Sequence, residues 1–273
     1  MSDQEALKQY LIDEFIEDYR ERRVSRRDAL KLLAGVTGSL SLAGALVAAC
    51  SPAPAPTPTA APGPTAVSAP PSPTPRPANT PVPEDMRVAD GDPAVRAQEV
   101  TFPNGTDSIF GYLARPSTGA GPFPLVLICH ENRGLTEYGR DVTRRFAKSG
   151  YVGLAVDLVS REGGTGKIDP TAVPGMLSAA SPDRHVRDFQ AALAYGKTQP
   201  FVWGDRAGMI GFCLGGGITW RTAAITPDLR AIAPFYGPAP ADLKVLSNIK
   251  AAVLGVYGGL DEQIGRASCR ERV

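Results

Sequence analysis

The sequence predicts an α/β fold, a doubly wound and mostly parallel sheet with helices on both faces. Three observations carry that expectation. Continuous apolar runs at 124–129 and 151–157 suit strands covered on both faces. Segments with helical spacing at 138–149 and 185–197 alternate with such runs, as a parallel sheet requires. The third is Gly211-Phe212-Cys213-Leu214-Gly215, set between an apolar run at 206–210 and a helical stretch from 217 to 224. That is the order strand, sharp turn, helix, with cysteine in the place of a nucleophile.

Taken along the chain, the 273 residues leave room for one large domain plus appendages. Residues 1–24 are charged and amphipathic, with Leu7, Leu11, Phe15 and Ile16 near helical spacing. Arg26 and Arg27 then precede a moderately apolar run at 32–49 that closes on Ala48-Ala49-Cys50. This resembles a twin-arginine export signal ending in a bacterial lipobox, with Ala29 where the pattern usually has Phe. The resemblance implies passage through the export machinery, lipidation of Cys50 and an extracytoplasmic, membrane-anchored protein. An uncleaved anchor or a buried helix are the other readings of the run. Residues 51–85 alternate Pro with Ala, Thr and Ser, and so form an extended tether rather than a core.

The globular part is expected over 86–263. Asn104-Gly105 between two strand-like runs predicts a hairpin, and 229–236 and 251–257 supply two further strands. The balance of 29 basic and 28 acidic residues argues against a nucleic-acid partner. Four cysteines without CxxC spacing suggest neither a zinc site nor a disulfide framework.

In an α/β sheet the chemistry gathers at the carboxyl ends of the strands. Glu131, Cys213 and Asp261 are expected there. A Cβ two residues either side of the nucleophile would clash, which accounts for Gly211 and Gly215. The N-terminus of the following helix favours a thiolate and a developing oxyanion. A small buried cysteine beside a Gly-rich turn would show the same letters. Asp261, in Gly258-Gly259-Leu260-Asp261, is either a turn residue or the acid that orients an imidazole.

From about 98 to 263 these pieces stand in the order found in the dienelactone hydrolase family, which the chain resembles. The loop His130-Glu131-Asn132-Arg133-Gly134 matches the family's loop after an early strand. The resemblance implies that Glu131 contacts the resting thiol and that the amides of Asn132 and Leu214 form the oxyanion hole. It also makes Arg161 a carboxylate-binding residue for substrate; a solvated loop charge is the other reading of Arg161. Asn132 and Arg133 depart from the family's usual apolar and aromatic residues, which leaves the dienelactone substrate itself open. The implied reaction is hydrolysis of a small-molecule carboxylic ester or lactone through an acyl-Cys213 intermediate, without metal or organic cofactor.

The triad histidine should follow Asp261, yet no histidine lies in the remaining residues. His185 precedes the nucleophile and reads as a helix-packing residue; His130 reads as a local polar contact. Residues 264–273 show no periodicity and back-translate into a run similar to a sequencing adapter. They are expected to be non-native, with the final helix and the histidine missing and the chain inactive and poorly stable. A substrate-binding lipoprotein without catalysis is the alternative function. A thiol redox protein is disfavoured by the lack of a resolving cysteine.

Overall fold

The computed structural model describes residues 3–20, 23–49, 87–240, 242–258 and 261. Cys50, the tether and the 264–273 tail lie outside the described residues. The described strands are β1 (Val95–Asn104), β2 (Asp107–Pro116), β3 (Phe123–Cys129), β4 (Val152–Val156), β5 (Val202–Phe212), β6 (Leu229–Phe235) and β7 (Ala252–Val253). They form one sheet in the order β1-β2-β4-β3-β5-β6-β7. The β1–β2 hairpin is antiparallel in unbroken register from Val95↔Pro116 to Asn104↔Asp107. Its turn uses Gly105 at φ 62°, where a residue without Cβ carries no strain. β2 is antiparallel to β4, and every later pairing is parallel.

Alternation along β3 shows why the sheet is wound on both faces. Leu125, Leu127 and Cys129 enter one core with Phe102, Leu154 and Phe189, while Ile128 enters a second with Tyr112, Val142 and Ala147. Two helices, α6 (Pro182–Lys197) and α7 (Leu214–Ile225), cover the first face. The second is covered by α4 (Glu137–Lys148). Ser181 caps α6 by accepting the Arg184 N–H at 3.2 Å, and Pro182 occupies the first turn, where its missing N–H costs nothing.

The 251–257 strand is shorter than expected. Only Ala252–Val253 pair regularly with β6, although Leu254 N–H and Val256 N–H still reach the Ile232 and Pro234 carbonyls at 2.9 and 3.0 Å. Val253 and Leu254 are exposed, so little side-chain burial supports a regular edge there.

The N-terminal region folds as α1 (Asp3–Arg20), α2 (Arg26–Thr37) and α3 (Leu40–Ala49). The apolar run is thus two helices, divided where Gly38 takes φ 70° and donates its N–H to Ala34 O at 2.8 Å. Among the described residues no helix is long and apolar enough to cross a membrane. Ala29, Leu32, Leu33 and Val36 of α2 are buried in the same core as Val173 and Leu177 of α5 (Val173–Ala179), a helix absent from the sequence reading. There Gly175 approaches Gly35 so closely that an added Cβ would lie 3.1 Å from the Gly35 carbonyl. Leu11 and Phe15 of α1 are buried in this core too, each contributing roughly 1.5–3 kcal/mol to docking.

Candidate active site

At the carboxyl end of β5 the chain reverses into α7 through Cys213, whose φ of 56° and ψ of −123° lie outside the regions open to ordinary residues. Such a conformation costs about 1–3 kcal/mol and persists because its surroundings fix it. Cys213 N–H donates to Phe235 O at 3.0 Å, and Gly216 N–H returns to Cys213 O at 2.8 Å. The flanking glycines are obligatory: a Cβ on Gly211 would meet Gly215 O at 2.1 Å, and one on Gly215 would meet His130 O at 2.6 Å. The turn therefore has the geometry of a nucleophile elbow.

Around the sulfur, the Leu214 amide faces Sγ from the helix end. The loop from His130 to Gly134 adjoins the elbow, with His130 O 2.6 Å from where a Cβ on Gly215 would lie. Asp157, at the end of β4, accepts from the Thr165 N–H and hydroxyl at 2.7 and 2.9 Å, and Thr165 Oγ1 accepts the Leu135 N–H at 2.9 Å. Asn132 is buried in this braced loop.

The carboxylate on the thiol is not Glu131. It belongs to Glu14 of α1, to which Sγ donates at 3.3 Å, the second oxygen lying at 3.6 Å. Tyr10, one turn earlier, donates its hydroxyl to Sγ at 3.4 Å. Asn132 Nδ2 donates to the same Glu14 oxygen at 3.1 Å, and Arg133 faces Asp18 at 3.6 Å. Burial pushes the Glu131 carboxyl up, with Arg133 opposing. The expected bias toward thiolate is reversed in this arrangement: burial first, then the Glu14 charge, push the Cys213 thiol up, against the Tyr10 hydroxyl and the Leu214 amide.

The remaining expected residues are placed as follows. Asp261 N–H donates to Gly258 O at 3.1 Å, and the Asp261 charge is felt at Tyr10. Arg161 is partly buried and paired. Its fork donates to both oxygens of the fully buried Asp188 at 2.9 Å, and its Nε to Asp107, so internal carboxylates fill the bidentate face expected for substrate. His130 Nδ1 donates to Glu131 O at 2.6 Å while Nε2 accepts the Leu158 N–H at 3.2 Å. His185 is buried against Leu177 O at 3.2 Å, and burial lowers it to about 4. Both imidazoles are thus committed to the fold. Tyr10, Glu14 and Asp18 were missed as site residues. Their one signal was spacing at i, i+4 and i+8, which makes a polar stripe beside Leu11 and Phe15.

A mostly parallel sheet, wound on both faces and carrying a strained nucleophile elbow, defines an α/β hydrolase. Comparison with known proteins narrows the class. The family model described as "Dienelactone hydrolase family" matches residues 109–272, and the chain belongs to that family. A protein of Escherichia coli O157:H7 named "Putative carboxymethylenebutenolidase" is 33% identical over 65% of this chain and 69% of its own. One of the same name from Methylorubrum extorquens is 38% identical over 62% of this chain, which spans only 61% of that relative. A crystal structure from Klebsiella pneumoniae, titled as a dienelactone hydrolase of that provisional kind, superposes with a TM-score of 0.58 at 30% identity, covering 64% of this chain and 77% of that one. A dienelactone hydrolase-like promiscuous phosphotriesterase from metagenomic libraries superposes at 0.56 with 27% identity, over 63% and 72% of the two chains.

Proposed function

We propose that the chain cleaves carboxylic ester or lactone bonds through Cys213 as nucleophile. The observation that carries this reading is the positive-φ cysteine held between two glycines that cannot be replaced without collision. Lactone chemistry is favoured by the relatives named as carboxymethylenebutenolidases. In the proposed step the thiol gives its proton to a carboxylate, the role that the family resemblance gives to Glu131 and that Glu14 holds in the arrangement described above, and sulfur bonds to the acyl carbon. The amides of Asn132 and Leu214 hold the oxyanion, each such donor being worth about 2.7–4 kcal/mol. The C–O bond then breaks, and the alcohol leaves with the proton. Asp261 belongs to the acid position of this order.

Hydrolysis of the acyl-enzyme needs a base for the incoming water. The chain has two histidines, and the imidazole of each is tied to backbone groups. We therefore propose that this chain acylates once and turns over slowly or not at all. Mixing it with p-nitrophenyl acetate should release up to one equivalent of nitrophenol per chain and then stop, and Cys213→Ala should release none. Equal, non-zero release by both chains would dispose of Cys213 as nucleophile.

We also propose export by the twin-arginine route and lipidation at Cys50, supported by Arg26-Arg27, the apolar run, Ala48-Ala49-Cys50 and the Pro-rich spacer behind them. Expressed in a bacterium, the chain should incorporate labelled fatty acid, and Cys50→Ala should not. Incorporation that survives in the Cys50→Ala chain, or is absent from both, contradicts this assignment.

A further inference from the structure

The proposed nucleophile is shut behind the chain's own N-terminal helix. Cys213 is only 1% exposed, and the hydroxyl and the carboxylate on its sulfur both come from α1, some two hundred residues earlier in the chain. Three successive turns of α1 each contribute a polar group to the site. Tyr10 donates to Sγ, Glu14 takes the thiol hydrogen and the Asn132 amide hydrogen, and Asp18 meets Arg133. On the neighbouring stripe Leu11 and Phe15 are fully buried in the core that also contains Cys213 and Leu214. A helix resting on the surface by chance would not place a carboxylate on the nucleophile, a donor beside it and two fully buried apolar groups in the core at once.

The group that Glu14 presents is chemically telling. Hydrolysis of an ester or lactone at Cys213 leaves a carboxylate beside the sulfur. Glu14 puts a carboxylate there, with one oxygen shared between Sγ and the Asn132 side chain. We propose that α1 is an inhibitor built into the chain, occupying the active centre as a mimic of the acid product, so that the site opens only when α1 withdraws. The likeness to product rests on the hydrolase reading above; the occlusion of Cys213 does not. Because α1 precedes the apolar run and Cys50, loss of the segment before Cys50 would remove the plug together with the export signal. The enzyme would then be silent during synthesis and open afterwards.

The test uses the full chain and needs no catalysis. Iodoacetamide labelling of Cys213 is followed by peptide mass spectrometry in the parent and in Leu11→Asp/Phe15→Asp, whose changes lie in α1 and leave the elbow intact. Cys129, fully buried at the end of β3, reports unfolding in the same sample. At least tenfold faster labelling of Cys213 with Cys129 still protected supports the plug. Equal rates at Cys213 overturn it. If Cys129 also becomes labelled, Asp18→Arg decides instead. A two- to fivefold gain at Cys213, reversed by adding Arg133→Asp, supports the plug, and no change in Asp18→Arg overturns it. Should Cys213 open as expected and still not accept an acyl group from p-nitrophenyl acetate, the hydrolase reading fails while the occlusion stands.

Discussion

Raising the pH from about 5 to about 8 should loosen α1 from the active centre, and Glu14→Gln should remove most of that response. Burial holds the Glu14 carboxyl up at about 7, against 4.5 for a free carboxyl. Since the docked value is the higher one, the docked helix carries no penalty below the free value, where the carboxyl is protonated in both states. That advantage is lost as the pH climbs from 4.5 through about 7. The full difference is about 3 kcal/mol, more than two orders of magnitude in the ratio of docked to withdrawn helix. The other groups facing Glu14 are Asp18, Glu131, Arg133, Tyr10 and Cys213. Burial pushes Tyr10 and Cys213 upward, away from this window, whereas Glu131 is raised in the same direction as Glu14 and leaves a smaller residual slope in the variant. The assay is Cys213 alkylation divided by that of a free thiol in the same buffer. A normalised rate that is flat or falls toward pH 8, or a Glu14→Gln chain with the parent's slope, would refute the reasoning.

Three other outcomes follow from the packing. Gly215→Ala sets a Cβ 2.6 Å from His130 O and 2.7 Å from Cys129 O, backbone atoms with no freedom to turn aside. It should cost about 3 kcal/mol and lower the melting temperature by roughly 6 °C or more; a change within about 1 °C would count against the elbow geometry. Arg161→Ala leaves the buried Asp188 with the Asn104 amide at 2.7 Å and no cation, and should cost about 3 kcal/mol in urea unfolding. An unchanged midpoint with weakened substrate binding would instead return Arg161 to the substrate. His185 is lowered from 6.5 to about 4, so its contribution is present above 6.5 and lost as pH falls toward 4, about 3 kcal/mol in all. His185→Gln should flatten stability between pH 7 and 4, and a parent chain equally stable across that range would contradict the assignment.

The parts of this molecule legible in the sequence are those where local sterics leave little choice. Asn104-Gly105 marks its hairpin because the turn needs a residue without Cβ, and Gly211 and Gly215 mark the elbow because neighbouring carbonyls lie within bonding reach of any side chain. Apolar runs mark β3 and β4 because both faces are covered. What escaped notice depends on distant partners. α5 is short and holds Pro174 and Gly175, so no helical period shows, yet Gly175 is what allows α2 to approach. The amphipathic stripe of α1 is equally compatible with a free helix. Nothing in Glu14 itself says that it ends on Cys213. Arg161 shows the converse: the resemblance implied a substrate contact and its place in a loop a solvated charge, and its partners are Asp107 and Asp188.

The most direct measurement is acetyl transfer from p-nitrophenyl acetate to the Leu11→Asp/Phe15→Asp chain, with the acetylated residue mapped by peptide mass spectrometry. The account predicts one acetyl group per chain, located on Cys213, formed faster than in the parent and absent when Cys213→Ala is added. Acetylation at another residue, or nitrophenol release that persists in the Cys213→Ala chain, would contradict it.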